Sequence, residues 1–170
     1  EKVAVFSSNH ILYGDISRRV MSVLSQFSPE VEVYSIDEAF LVLDGLSMPY
    51  GAEAYAREIA DAVMRSVGIP VSIGIAPTKT LAKIASHRAK KIARYGGVCH
   101  LATPDQQAIA LMECPIGDVW GIGRRLAPKL MEVGVATAWD FTRLPRERVR
   151  RQYTIEGERT WRELRGEVCY

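Results

Sequence analysis

Over the first hundred residues, the apolar positions follow two spacings, one helical and one extended. Apolar residues every three or four positions predict helices over 11–27, 53–67 and 78–94. Short alternating or continuous apolar runs predict strands over 3–6, 31–36, 39–43, 71–76 and 98–101. Strands and helices that interleave in this way predict an α+β fold of the ferredoxin-like, split βαβ type, with the helices on one face of the sheet.

The pattern changes after Thr103-Pro104. From there on, the chain has no β-branched runs. It shows short helical patterns around 105–113, 127–133, 137–143, 146–151 and 156–165. The sequence therefore predicts two domains, a mixed one over residues 1–102 and a small all-α one over residues 103–170.

The composition is that of a globular protein and excludes several other classes. Hydrophobic residues make up 48% of the 170 positions and charged residues 25%, which excludes a disordered or collagen-like chain. Three scattered cysteines are too few for a disulfide framework or a CxxC zinc site. No apolar run approaches the roughly 20 residues of a membrane span, so we expect no membrane partner. The chain opens without an initiator methionine, and we expect that residues precede it in the natural protein.

The net charge of +2 conceals an asymmetry between the two halves. Residues 1–75 contain five basic and ten acidic residues, whereas residues 76–170 contain 17 basic and ten acidic residues. Such a division indicates either polyanion binding beside an acidic site or an accidental mosaic of surface charges. The positions of the charges decide between these two interpretations.

The first charged motif is the adjacent pair Asp37-Glu38, which separates two apolar strand-like segments. In a regular strand one of the two side chains would point into the packing, where an unpaired charge is costly. A tight turn or bulge would let both carboxylates face the same side. Paired carboxylates favour a divalent cation, and Mg²⁺ in particular prefers oxygen ligands. The alternative is an exposed hairpin tip, but the apolar flanks argue against it.

The second motif is a basic stripe on the helix predicted over 78–94, with Thr78 as its N-cap. Lys79, Lys83, Lys90 and Arg94 fall within about 60° of one another around a regular helix. No acidic residue occurs between positions 76 and 94. A merely solvated face usually mixes both signs, so the stripe favours phosphate binding over that alternative.

The third motif is the turn Gly121-Ile122-Gly123, followed by Arg124, Arg125 and Lys129. Glycines let a phosphate approach backbone N–H groups without obstruction by a Cβ atom. Pro128 would break a helix interior, so the next helix should begin near Ala127 and hold Pro128 in its first turn. The motif predicts a helix–hairpin–helix that binds the DNA backbone; the alternative is an ordinary turn between two helices.

A further basic cluster is less specific. It comprises Arg143, Arg146, Arg148, Arg150 and Arg151, with only Glu147 as an acidic neighbour. A solvated helix and a contact to the duplex backbone explain this cluster equally well.

Taken in order, the three motifs are Tyr-Ser-Ile-Asp-Glu at 34–38, Gly-Ile-Ala-Pro-Thr-Lys-Thr-Leu-Ala-Lys-Ile-Ala-Ser at 74–86 and Trp-Gly-Ile-Gly-Arg-Arg at 120–125. Together they make the chain resemble the palm and thumb of Y-family translesion DNA polymerases, in particular the UmuC type. The resemblance covers essentially all 170 residues. It implies an incomplete palm over residues 1–102 and a thumb with a helix–hairpin–helix over residues 103–170.

The resemblance also implies roles for individual residues. Asp37 and Glu38 match the second and third of three catalytic carboxylates that hold two Mg²⁺ ions. Lys90 matches the lysine that contacts the incoming nucleotide triphosphate, and Lys83 lies on the same face. The DNA-binding residues would be those of the thumb hairpin, namely Gly121, Ile122, Gly123, Arg124, Arg125 and Lys129.

By the same resemblance, the function is error-prone translesion synthesis during the SOS response, in the bacterial cytoplasm at the nucleoid. The partners would be primer–template DNA, the incoming dNTP, a UmuD-type accessory subunit, RecA and the sliding clamp. The first catalytic aspartate, the steric-gate aromatic, the fingers and the little finger have no counterpart in these 170 residues. We therefore expect that the chain alone does not extend a primer.

Two other functions are alternatives to a DNA polymerase. A non-catalytic duplex-binding module would explain the basic half of the chain, but it would leave Asp37-Glu38 without a purpose. A nucleotidyl cyclase has a palm-like sheet, but the Gly-Gly-Asp/Glu-Glu-Phe type of turn is absent and a DNA-binding hairpin would have no use there.

Overall fold

The computed structural model describes residues 3–170. The helices are α1 (His10–Leu24), α2 (Ala52–Val67), α3 (Lys79–Lys91), α4 (Pro104–Met112), α5 (Ala127–Glu132), α6 (Ala138–Thr142), α7 (Arg146–Gln152) and α8 (Ile155–Leu164). The strands are β1 (Val31–Val33), β2 (Ala39–Leu41), β3 (Ile73–Ile75) and β4 (Val98–His100), and two 3₁₀ turns cover Ala93–Tyr95 and Ile116–Asp118. The mixed α and β composition and the helical second half are confirmed.

The strand predicted over residues 3–6 is wrong. This segment has no regular structure, and the side chains of Val3, Val5 and Phe6 are all more than four-fifths exposed. A strand needs a partner for its backbone groups, and this apolar run has none in the described part of the chain. Helix α1 begins after it, where the side chain of Asn9 accepts a hydrogen bond from the Leu12 N–H at 3.0 Å.

One compact unit extends to Val71. In it, helices α1 and α2 pack on each other, and β1 pairs antiparallel with β2 in a register that places Val31 opposite Leu41. The hydroxyl of Tyr55 donates to the carbonyl of Phe27 at 2.5 Å, which ties α2 to the end of the α1 segment. Helix α2 ends at Val67, and the left-handed conformation of Gly68 (φ 76°) caps its C-terminus.

The second compact unit is Ser72–Tyr170. Its strands β3 and β4 are parallel, with Gly74 opposite Cys99, and α3 packs against both of them. Thr78 caps α3 as predicted, because its side chain accepts from the Leu81 N–H at 3.3 Å. The described strands thus form two two-stranded sheets, one in each unit. Because each strand has only three residues, each strand pair is short and has few backbone hydrogen bonds.

The hydrophobic core does not divide at residue 102, where the sequence predicts a domain boundary. Buried residues of α3, β4 and the later helices form one cluster that runs from Leu81 to Leu164. Helix α8 contributes Glu163, which is fully buried: its carboxylate accepts from the Thr80 N–H at 2.9 Å, and its carbonyl accepts from the Thr78 hydroxyl at 2.8 Å. Helix α8 thus binds the first turn of α3, and the mixed and all-α segments share one hydrophobic core. Along residues 3–170, no helix is both long enough and apolar enough to cross a lipid bilayer.

Candidate nucleotide and nucleic-acid interface

The loop between β1 and β2 carries the two predicted catalytic carboxylates. It is closed by the N–H groups of Tyr34 and Ser35, which both donate to the carbonyl of Glu38 at 3.0 Å. The hydroxyl of Ser35 donates to the Asp37 carboxylate at 2.7 Å and accepts from the Asp37 N–H at 3.3 Å. This local turn fixes the Asp37 carboxylate against its own backbone.

Both carboxylates are exposed in their unit, and so is the apolar residue beside them, since Ile36 is 52% exposed. The apolar flanks therefore do not bury the pair. Two carboxylates match the one or two that Mg²⁺ takes from a protein, with water and phosphate oxygens completing its shell. Residues 3–170 contain no group of three or more metal-ligating side chains. The pair thus fits part of a magnesium site.

Helix α3 carries the predicted basic stripe, but it is shorter than predicted. The helix ends at Lys91, and Ile92 is extended, so Arg94 lies on the following 3₁₀ turn rather than in line with the three lysines. Its guanidinium instead stacks on the Tyr95 ring, 5.2 Å from the centroid. Lys79 and Lys83 are half-buried, and Lys90 is exposed near the end of the helix.

Arg88 is a buried charge that the spacing argument did not single out. It lies on the opposite side of α3 from the lysine stripe, and only 6% of it is exposed. Its guanidinium pairs with Glu113 and donates to the Tyr95 hydroxyl at 2.9 Å, while its Nε has no hydrogen-bond partner. An arginine on the apolar side of a helix signals that a partner is needed, but the sequence does not say which one.

Arg88 also lines a small cavity of about 60 Å³ beside Cys114. Burial, reinforced by the nearby Asp118 carboxylate, raises the pKa of the Cys114 thiol to about 11. The thiol is therefore protonated at neutral pH and is a poor nucleophile.

The Gly121–Gly123 segment forms an irregular turn between two helical segments. A 3₁₀ turn over Ile116–Asp118 precedes it, and α5 follows with Pro128 in its first turn. Gly121 has φ 85°, and a Cβ atom there would lie 2.5 Å from the Thr160 hydroxyl oxygen. Around Gly123, by contrast, there is open space, so another molecule can approach its backbone.

The charged residues of this turn are accessible. Arg124, Arg125 and Lys129 are all exposed, whereas Ile122 is buried and holds the turn onto the core. Leu126 and Ala127 both donate their N–H groups to the Gly123 carbonyl, which closes the turn against α5. The result is a positively charged loop with a buried apolar anchor.

Lys83 is brought to the base of this turn. Its ammonium nitrogen lies 5.3 Å from the centre of the Trp120 ring, directly before Gly121. Trp120 is half-buried, and its ring also contacts the Tyr170 ring at 5.1 Å between centroids. Lys83, a predicted nucleotide-binding residue, thus contacts the residue that precedes the predicted DNA-binding turn, whereas Asp37 and Glu38 belong to the other unit.

The second arginine cluster is partly used inside the protein. Arg146 pairs with Glu158 at 3.1 Å, and Arg148 donates to the side chain of Gln152 at 3.0 Å. Arg143, Arg150 and Arg151 are exposed.

The comparisons with known proteins identify the family of the chain. The profile of the IMS family, described as the impB/mucB/samB family, matches residues 1–87. The protein UmuC of Salmonella typhimurium (strain LT2) is 45% identical over 98% of this chain and 40% of its own length. The chain thus spans about two fifths of the length of the curated relatives that it matches.

Solved structures show the same arrangement of helices and strands. The crystal structure of a DinB family error-prone DNA polymerase from Sulfolobus solfataricus superposes with a TM-score of 0.77 and 26% identity, over 96% of this chain and 49% of that one. An insertion ternary complex of Dbh DNA polymerase gives a TM-score of 0.72 and 28% identity, over 91% and 44% of the two chains. The mixed helix-and-sheet fold described above is therefore one that DNA polymerases adopt.

Proposed function

Because the chain belongs to the impB/mucB/samB family of Y-family proteins, we propose that it supplies part of an error-prone, template-directed DNA polymerase that performs translesion synthesis. The observation that carries this proposal is the presence of all three motifs, in order, on a chain that is 45% identical to UmuC over 98% of its residues. The reaction is transfer of a nucleotide from a dNTP to a primer 3′-hydroxyl, as part of DNA damage tolerance in the SOS response.

Within this proposal, residues 1–102 belong to the palm and residues 103–170 form the thumb. The Ile116–Asp118 turn, the Gly121–Gly123 loop and α5 then form the helix–hairpin–helix of the thumb. The shared core that runs from Leu81 to Leu164 supports the thumb directly on α3. A rigid connection of this kind keeps the helix that faces the nucleotide aligned with the loop that faces the duplex.

Asp37 and Glu38 are proposed as ligands of two Mg²⁺ ions in the full-length protein. When bound, magnesium lowers the pKa of the attacking hydroxyl and neutralises charge that develops on the phosphates. The chain contributes an exposed pair of carboxylates on a closed loop, and the Ser35 hydroxyl orients Asp37. A third carboxylate from outside residues 3–170 would complete the ligand set.

Lys90 and Lys83 are proposed as the nucleotide-binding residues. Both lie on α3, and a lysine ammonium attracts phosphate oxygens as a compact charge with three donors. Lys90 is exposed and Lys83 is half-buried. Since binding of the triphosphate precedes chemistry, loss of either lysine should act mainly on KM for the dNTP.

The Gly121–Gly123 hairpin is proposed to bind the primer–template through its phosphates. Arg124, Arg125 and Lys129 supply charge, and the open space at Gly123 lets a phosphate reach the backbone. Such contacts hold DNA without reading its sequence, as a polymerase requires. The resemblance adds a UmuD-type accessory subunit, RecA and the sliding clamp as protein partners of the intact enzyme.

Primer extension by the full-length protein tests the proposal. Templated incorporation should require Mg²⁺ and fall at least 100-fold in both Asp37→Ala and Glu38→Ala, on the order of what loss of a catalytic charge contact costs. The 170-residue chain alone should not extend a primer. A full-length protein that binds duplex DNA but incorporates no dNTP would favour the non-catalytic duplex-binding module.

Duplex binding by the 170-residue chain tests the hairpin separately. The double variant Arg124→Glu, Arg125→Glu should weaken binding and flatten the dependence of log K on log salt concentration by about two phosphate contacts. The matched control is Arg18→Glu, Arg19→Glu, an adjacent exposed pair on α1 with the same change of charge. Equal losses in both double variants would show that only net charge matters, and would contradict the role of the hairpin.

A further inference from the structure

Arg88 connects three segments of the second unit near the C-terminal end of α3. Its guanidinium lies on the last turn of this helix, pairs with Glu113 at the end of α4, and donates to the Tyr95 hydroxyl at 2.9 Å on the 3₁₀ turn. Only 6% of Arg88 is exposed, so without these partners it would be a buried, unpaired charge. The end of α3 is therefore attached to two other segments through one buried side chain.

Lys90 lies on the same helical turn as Arg88 but faces nearly the opposite way. Two positions along a regular helix correspond to a rotation of about 200°. Accordingly, Arg88 is buried, whereas Lys90 is exposed to solvent. Because the two residues share one turn of backbone, contacts that fix the turn at Arg88 also fix the direction in which Lys90 leaves the helix.

The last turn of α3 depends on such contacts because the helix stops abruptly. The Ile92 N–H donates to the Arg88 carbonyl at 2.9 Å, and the backbone becomes extended at Ile92. The last carbonyl groups of a helix have no partner within the helix, so its final turn is held less firmly than its middle. The Arg88 side chain bonds to Tyr95 across this break, and to Glu113 on the neighbouring helical segment.

An arginine suits this connection better than a lysine does. A guanidinium is planar and presents five N–H donors in a fixed geometry, whereas an ammonium is a single point of charge. Besides accepting from Arg88, Tyr95 places the centre of its ring 5.6 Å from the guanidinium carbon. A lysine at position 88 would keep the charge but would not reproduce both contacts in the same orientation.

We propose that Arg88 is a positioning residue that fixes the last turn of α3 through Glu113 and Tyr95, and thereby holds Lys90 in place for a phosphate of the incoming nucleotide. The inference rests on the proposed function, since it concerns a lysine to which nucleotide binding is assigned there. Without the two contacts, the last turn of α3 frays and Lys90 binds the nucleotide more weakly. Because Arg88 acts only through Lys90, the effect falls on nucleotide binding rather than on the chemical step.

Steady-state incorporation of dNTP by the full-length protein tests this role. Arg88→Lys should raise KM for the dNTP about three- to tenfold, as expected for loss of one or two hydrogen bonds, with kcat within about twofold of the unsubstituted protein. Tyr95→Phe, which removes only the hydroxyl, should raise KM about twofold, and it decides the question if Arg88→Lys does not fold. In a Lys90→Met background, Arg88→Lys should cause no further rise in KM.

Val149→Ala is the control for a general loss of stability. Val149 is fully buried on α7 in the core of the same unit, so this variant should be less stable but should have an unchanged KM for the dNTP. If Tyr95→Phe and Arg88→Lys both leave KM unchanged, or if Arg88→Lys raises it equally with and without Lys90, the positioning role is wrong. If the unsubstituted full-length protein shows no templated incorporation at all, the proposed function is wrong and this role falls with it.

Discussion

Replacement of Gly74 by alanine is expected to destabilise the second unit strongly. Gly74 lies in the middle of β3, where the strand passes very close to α3. A Cβ atom at this position would lie 2.1 Å from the carbonyl oxygen of Ala82 and 2.2 Å from the amide nitrogen of Ser86. Both atoms belong to the helix backbone, so no side-chain rotation relieves the clash.

The size of the effect follows from these distances. Non-bonded atoms of this kind pack at about 3.5 Å, so α3 and β3 would have to separate by about 1.4 Å to relieve the 2.1 Å contact. That separation would loosen buried residues of α3, of which Leu81 and Ala85 are fully buried. Overpacking usually costs about 1–3 kcal/mol where side chains can yield. Since only backbone is available here, we expect about 3 kcal/mol, a large part of the roughly 5–15 kcal/mol that stabilises a domain.

Urea unfolding followed by tryptophan fluorescence measures the free energy of unfolding of the unit that contains Gly74. All three tryptophans, Trp120, Trp139 and Trp161, lie within Ser72–Tyr170, so their emission reports on that unit alone. Gly123→Ala is the matched control, because Gly123 has no positive φ and open space where its Cβ would be. It should change the free energy of unfolding by less than about 1 kcal/mol. Equal unfolding midpoints for Gly74→Ala and the unsubstituted chain would refute the argument from close packing.

Three further predictions concern buried or hydrogen-bonded groups. Glu163→Gln should lower the free energy of unfolding by about 1–3 kcal/mol in the same urea assay, because the carboxylate accepts N–H groups from both Thr80 and Cys169. The Asp140 carboxylate accepts hydrogen bonds from the Thr137 hydroxyl and from backbone N–H groups. These bonds hold the pKa of Asp140 below its ordinary value of 3.8. The resulting stabilisation is complete above that value and is lost as the pH falls through the lower folded-state pKa, so Asp140→Asn should flatten the acid limb of the unfolding midpoint against pH. Cys114, with a thiol pKa of about 11, should resist iodoacetamide at about pH 8 in the folded chain and react in urea, as measured by peptide mass spectrometry. Rapid labelling of the folded chain would contradict the burial of this thiol.

The local features of the candidate site follow from short-range signals in the sequence. Thr78 as the cap of α3, Pro128 in the first turn of α5 and the turn between β1 and β2 are all confirmed. Each depends on the backbone preferences or hydrogen bonds of residues within about four positions, which are readable from the chain. The predicted end of α3 lies three residues too late, because Ile92 and Arg94 continue the helical spacing although the backbone becomes extended at Ile92.

The features that reasoning from the sequence missed are contacts between distant segments. The residue that fixes the start of α3 is Glu163, and the partner of Lys83 is Trp120; neither lies near its partner in sequence. A buried glutamate and an arginine on an apolar helix face are detectable as anomalies only after burial is known. Their partners depend on how the helices pack, which periodicity does not encode.

The amino-acid sequence is sufficient to predict the order of most elements and the family to which the chain belongs. Tertiary structure alone decided that the core continues past residue 102, that Arg88 turns inward to Glu113 and that Lys83 rests on Trp120. The two groups of features differ in how far apart in the sequence the interacting residues lie. Turns, caps and helical faces are set by neighbours along the chain, whereas burial and charge pairing are set by neighbours in space.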